Sequence, residues 1–304
     1  MSKFISNLSV ADFYNTVDVR DGLNSAFRGL LSAWNLAHQD DRFIRSSRLL
    51  KEVIGVDDNN FEEIYDLLID CTRPRVNFPL VLGNGNFGFP PAYPDFSEMK
   101  LTKFVKTAIE RSNYGDLNIP FAVPVPCALV NGTLGYSLSE TKIPTHNLSE
   151  VIDAMIALIK NPELETKELL QYIKGPDLFV GGAIENREEL YDIYEKGFGS
   201  IKIIVTKQNF NWRWLEDVGD YCNWYGLKFR KLYKKEAYRI EVPYYAFVGD
   251  GEKTELMSLK NILEKHIEYY RAYKNELSDN ELCELLTSFK EYSTIRKTQE
   301  IVSF

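Results

Sequence analysis

The stretch NFNWRWLEDVGDYCNWYGLKFRKLYKK, residues 209–235, interleaves Trp212, Trp214, Trp224 and Tyr225 with Arg213, Lys228, Arg230, Lys231, Lys234 and Lys235. Such a mixture can stack nucleic-acid bases and neutralise phosphate. Aromatics at this spacing also build the core of a sheet or helix with a solvated basic edge. The basic end is the best local candidate for a contact with DNA. GNGNFG at 83–88 could suggest a phosphate cradle, but no Lys-Ser/Thr follows it and no strand-to-helix context frames it, so nucleotide binding is not expected. His146 stands just before a helix cap with no second histidine nearby, and reads as a hydrogen-bonding turn residue rather than a metal ligand. His38 and His266 read as surface residues. Cys71, Cys127, Cys222 and Cys283 lie far apart with no CxxC pair, which argues for reduced, mostly buried thiols and against a zinc knuckle or a disulfide framework.

The elements that must position these groups follow from periodicity. Apolar residues at helical spacing predict helices over 23–36 (Leu23, Phe27, Leu30, Leu31, Trp34), 45–53 and 61–71, and a fourth over 97–109 after the glycine- and proline-rich stretch 83–94. Asn147 is a plausible N-cap for a helix over 148–160, with Glu150 three residues on as in a capping box. A short helix at 165–173 precedes β-rich segments at 178–184 and 200–205, which flank a helix over 187–196. Residues 257–277 and 278–300 are charged amphipathic helical stretches able to pair with each other or with another chain.

With 304 residues, 44% of them hydrophobic, one large or two modest domains are expected. The 36 basic residues are outnumbered by 44 acidic ones, so any nucleic-acid-binding surface must be a local basic patch. No apolar run is long enough to span a membrane and no secretory leader pattern opens the chain, which predicts a soluble cytoplasmic protein.

Three strings carry a sharper reading. VRDGLNSAFRGLL (19–31), LVLGNGNFG (80–88) and above all CALVNGTLGYSLSETKIPTHNLSEVIDAMIALI (127–159) resemble, in this order, strings of the A subunits of bacterial DNA gyrase and topoisomerase IV. GPDLFVGGAI (175–184) and FVGDGEKTELMSLKNILEKHIEYY (247–270) are similar to later parts of that family, so the resemblance runs over roughly the whole chain with internal deletions. It implies an α/β chain with a winged-helix DNA-binding domain at 1–140, a tower-like α/β domain at 141–255 and a short helical, truncated coiled-coil extension at 256–304.

The family's chemistry is a transesterification in which a tyrosine oxygen attacks a DNA phosphate, assisted by a neighbouring arginine and by metal ions on the partner subunit. The matching string here is DFSEMKL (95–101), which puts Phe96 at the tyrosine position and Asp95 at the arginine position. Tyr93 is the only near substitute. In the first string the family's Lys, Pro, His and second Arg correspond to Asn24, Ser25, Phe27 and Gly29, with Arg28 retained. The acidic VDDNNFEE (56–63) replaces a segment whose two histidines grip the cleaved strand. Arg28, Lys100, Lys142 and the Ile143-Pro144 pair remain as DNA-contact residues, Ile143 matching an isoleucine that wedges between base pairs. The resemblance therefore implies a DNA-binding relative without cleavage activity, whose partners would be double-stranded DNA, a second copy of the chain, or the A or B subunit of a topoisomerase. Alternatives are a regulator of a true topoisomerase and an active subunit using Tyr93. Magnesium and ATP would enter only through a B subunit, and no metal site or cofactor is expected in this chain.

Overall fold

The computed structural model describes residues 25–72, 79–87, 92–110, 123–133, 141–206, 218–232, 237–249, 254–273, 277–293 and 298–299. The described residues form two compact units, divided between Val123 and Pro124. In the second unit Thr133 is tied to the segment after it: its hydroxyl donates to the Thr141 carbonyl (2.8 Å) and accepts from the Ile143 amide (2.9 Å).

The first unit opens with helix α1 (Ser25–Ala37), whose Phe27, Leu30, Leu31 and Trp34 are buried at the predicted spacing. Strand β1 (Ile44–Arg45) leads into a one-turn helix α2 (Ser46–Arg48) that continues as a π-helical turn, Leu49–Ile54. Gly55 closes that turn at φ 74°, a left-handed conformation natural to glycine, and its amide donates to the Leu50 carbonyl. Then come α3 (Phe61–Thr72), β2 (Val81–Asn84), a 3-10 turn (Pro94–Phe96), β3 (Glu98–Leu101) and α4 (Lys103–Glu110). The sequence pattern over 97–109 predicts only helix. Its first half is instead the central strand of an antiparallel sheet ordered β1-β3-β2, since Met99 and Leu101 alternate inward while Glu98 and Lys100 alternate outward. α1 packs on the π-helical turn and on α4.

The second unit begins with α5 (Cys127–Val130), then α6 (Leu148–Lys160) and α7 (Thr166–Leu169). Asn147 caps α6 as expected, its side chain accepting from the Ser149 and Glu150 amides. Glu150 does not return to the cap as a capping box requires, because its carboxylate accepts from the Lys174 amide (3.0 Å). β4 (Gly182–Ile184), α8 (Leu190–Lys196), β5 (Phe198–Thr206), α9 (Val218–Tyr225), β6 (Lys228–Leu232) and β7 (Ala237–Tyr245) come next. A small hairpin pairs β8 (Phe247–Gly249) with β9 (Thr254–Leu256). The chain then runs through α10 (Leu259–Tyr273), α11 (Asp279–Ser288) and β10 (Thr298–Gln299).

The five-stranded sheet is ordered β10-β4-β5-β7-β6, antiparallel except where β10 runs parallel to β4. Its core face carries Ile201, Ile203 and Val205 of β5 beside Val242 and Ile240 of β7, all buried. α10 and α11 both pack on α6, and Lys290, just beyond α11, ion-pairs with Asp153 of α6. His266 of α10 is buried and not at the surface as expected from the sequence, because it lies on the same side as Ile262, Leu263 and Tyr270. Cys127 and Cys222 are buried free thiols and Cys283 is half-buried. No helix among the described residues is long and apolar enough to cross a membrane.

Two core tyrosines in this unit behave oppositely. Tyr194 donates to His146 Nε2 (2.7 Å), whose other ring nitrogen faces the Leu129 carbonyl at 3.0 Å. Tyr244 packs edge-on against Tyr194, but its fully buried hydroxyl has no hydrogen-bond partner among the described residues. Burial also pushes the Tyr244 phenol above its ordinary pKa. Tyr194→Phe orphans a buried imidazole nitrogen and is expected to cost about 1–3 kcal/mol. Tyr244→Phe removes an already unpaired oxygen and is expected to be neutral or stabilising by about 1 kcal/mol. Urea denaturation of both variants checks the contrast; equal losses would refute it.

Candidate nucleic-acid interface

An open groove of about 1140 Å³ in the first unit is lined by residues of β1, α2, the π-helical turn and the 3-10 turn Pro94–Phe96. Tyr93 and Phe96 stand at its wall with 78% and 76% of their surfaces exposed, an unusual state for two large aromatics. They share one turn, the Phe96 amide donating to the Tyr93 carbonyl (2.8 Å).

That turn is held from beneath. The Tyr65 hydroxyl donates to the Ala92 carbonyl (2.7 Å) and lies 2.6 Å from Ser97 Oγ, which donates to Ser46 Oγ (2.9 Å). Burial raises the Tyr65 phenol pKa. Above this network Ser47 Oγ donates to the exposed Asp95 carboxylate beside Phe96 (2.5 Å). None of Ser46, Ser47, Tyr65 and Ser97 stood out in sequence, because a hydroxyl's role depends on what faces it across the fold.

The groove's cations are largely matched by its own acids. Arg42 pairs with Asp40 (2.6 Å), Arg48 with Glu52 (2.9 Å) and Lys51 with Asp58 (3.2 Å), while Arg45 lies opposite Glu98 in the β1–β3 register. The Arg42 guanidinium, by hydrogen bonding, holds the Asp40 carboxyl below its usual pKa. Asp57, Asp58, Glu62 and Glu63 of the acidic segment are exposed.

The sequence-derived contact residues are distributed over both units. In the first unit Arg28 is only 5% exposed. Lys100 donates to the Asp41 carboxylate (3.4 Å) and lies over the Phe43 ring, and Asp41 is depressed in pKa chiefly by that hydrogen bond. In the second unit Lys142 exchanges two backbone hydrogen bonds with Tyr245, each 2.8 Å, and its half-buried ammonium is lowered in pKa by desolvation. Ile143 and Pro144 are buried, and the Thr133 amide donates to the Ile143 carbonyl (2.7 Å). A wedge acts through an exposed side chain, so insertion by Ile143 between base pairs requires this segment to be displaced.

Comparison with known proteins agrees with the strings that frame these sites. The family of DNA gyrase/topoisomerase IV A subunits matches residues 17–213, most of the chain. The chain belongs to that family. It is 36% identical over 206 residues to the DNA gyrase A subunit of Thermotoga maritima and 34% identical over 208 residues to that of Kosmotoga olearia. Each alignment covers about 60% of this chain but 26% of the relative, so the chain matches about a quarter of their length. A DNA gyrase A-subunit sequence of Spiroplasma citri is 37% identical over 185 residues, covering 54% of this chain and 82% of that sequence. The family match stops at residue 213, short of the 247–270 string that also suggested kinship.

Proposed function

We propose that this protein is a gyrase A-like DNA-binding protein that does not cleave DNA. What supports this reading is the groove lined by Phe96 and Asp95, a phenyl ring and a carboxylate at the positions where the resemblance expects a nucleophilic oxygen and a cation. Phe96 has no oxygen with which to form a bond to phosphorus. In this reading the first unit, with its helices and three-stranded sheet, is a winged-helix domain, and the second unit is a tower-like α/β domain with a helical extension. The family relationship supports double-stranded DNA as ligand, a cytoplasmic setting, and pairing with a second copy or with a gyrase B subunit that supplies ATP hydrolysis and magnesium. Tyr93 lies one turn away from the nucleophile position, and catalytic geometry tolerates little displacement.

A second reading, a regulator that binds a true topoisomerase A or B subunit, is favoured by a specific observation. The groove's cations already have acidic neighbours and the chain's net charge is −8, so little positive charge is left for phosphate.

Binding to a labelled 30-base-pair duplex across a salt series, followed by a denaturing, protease-treated gel, separates these readings. The expected result is binding with a steep salt dependence and no covalent adduct. Adducts overturn the non-cleaving assignment. No binding at low salt overturns the DNA-binding assignment and leaves capture of a topoisomerase partner for measurement.

A further inference from the structure

We infer that the edge strand β6 is a contact surface for the phosphate backbone of duplex DNA, replacing cationic grip that the groove no longer offers. The inference rests on the DNA-binding reading and locates it outside the family match, which ends before this strand. Among the described residues β6 ends the sheet and pairs with β7 alone, and Lys228, Phe229, Arg230 and Lys231 are exposed one after another. Because side chains alternate, Lys228 and Arg230 project from one face while Phe229 and Lys231 project from the other. A polyanion following the edge meets cations from both faces.

The electrostatic setting separates this strand from the groove. Lys228, Arg230 and Lys231 form no ion pair with a described carboxylate, and the acid nearest in register is Glu241 of β7, across from Lys228. Arg230 stands directly opposite Arg239, and like charges opposed across a ladder destabilise it. Glu185 pairs with Arg239, and no described carboxylate pairs with Arg230. An edge lysine alone suffices to block strand-to-strand aggregation. Three cations within four residues, one of them set against another arginine, exceed that need. On the other face, Phe229 leans on Tyr238 with ring centroids 6.4 Å apart, giving the basic ribbon an aromatic base.

The test uses the full-length protein and the same labelled duplex. Lys228→Gln/Arg230→Gln/Lys231→Gln is compared with Lys160→Gln/Lys167→Gln/Lys265→Gln, which removes the same net charge from exposed helical positions. Each lost phosphate contact lowers the salt slope by about 1, so the β6 variant is expected to show a slope smaller by about 3, uniformly over unrelated sequences, and the control an unchanged slope. Lys228→Arg/Lys231→Arg is expected to retain the wild-type slope, which shows that charge and not strand integrity is read. An unchanged slope in the β6 variant, or an equal drop in the control, overturns the inference while leaving DNA binding intact. Absence of binding by the wild-type protein at low salt overturns the DNA-binding reading itself.

Discussion

Phe96→Tyr alone is expected to leave duplex DNA uncleaved, even with a gyrase B subunit, ATP and magnesium supplied. In the transesterification a tyrosine oxygen bonds to phosphorus as the phosphorus–deoxyribose oxygen bond breaks, the tyrosine proton departs and the released sugar oxygen gains one. Negative charge grows on the phosphate during this exchange. A single well-placed stabilising group is worth about 10²–10³ in rate. Here the adjoining position carries Asp95, held in place by Ser47, so charge develops beside a carboxylate. Phe96→Tyr/Asp95→Arg replaces that carboxylate with a cation and is expected to raise adduct yield by about a hundredfold over the single variant. The readout is covalently labelled protein after protease-free denaturing electrophoresis. Efficient cleavage by Phe96→Tyr alone, or adducts on wild-type protein that disappear with Tyr93→Phe, would refute the assignment of Asp95 and Phe96 as the disabling pair.

Gly132→Ala is expected to destabilise the second unit by about 2–5 kcal/mol, combining left-handed backbone strain with overpacking. Gly132 sits at φ 71°, and an added Cβ would stand 2.8 Å from the Ile143 carbonyl oxygen, 2.9 Å from the Thr145 amide nitrogen and 3.1 Å from the Pro144 carbonyl carbon. All three are backbone atoms of the segment that runs into α6, so no flexible side-chain end can yield. Ile143 exchanges hydrogen bonds with Thr133 (2.7 and 2.9 Å), Thr145 with Asp177 (2.7 and 2.8 Å), and the His146 amide donates to the Leu129 carbonyl (3.0 Å), so the segment is held at both ends. With whole-domain stabilities of about 5–15 kcal/mol, the loss is large enough to lower the melting temperature by roughly 10 °C. Gly226→Ala provides the comparison, because Gly226 has a similar φ of 61° but nothing within 4 Å of an added Cβ. It isolates backbone strain from collision, and equal melting temperatures for the two variants would sink the collision account.

Both expectations concern strings that were visible from the start. The family strings are legible in the residues alone, and so are the phenylalanine and aspartate that the resemblance sets at the tyrosine and arginine positions. Helical periodicity located α1, α3, α6 and α10 to within a few residues because their buried faces repeat along the chain. The same reasoning predicted helix over 97–109, where β3 occupies the first half, since a four-residue alternation is too short to outweigh the helical pattern after it. Glu150 had the spacing of a capping-box partner and found a closer donor in the Lys174 amide.

What the sequence determined by itself was kinship and the residue types that stand at each position of the family strings. Tertiary structure decided which remaining charges are available. Lys100 is engaged by Asp41, distant in sequence, Arg28 and Ile143 lie inside their units, and the exposed cations of β6 form no ion pair with a described carboxylate, although Lys228 faces Glu241 in register. A side chain's type fixes its charge and hydrogen-bonding capacity, but partnership and exposure depend on segments brought together only by folding, and those two properties govern whether a cation can meet a phosphate.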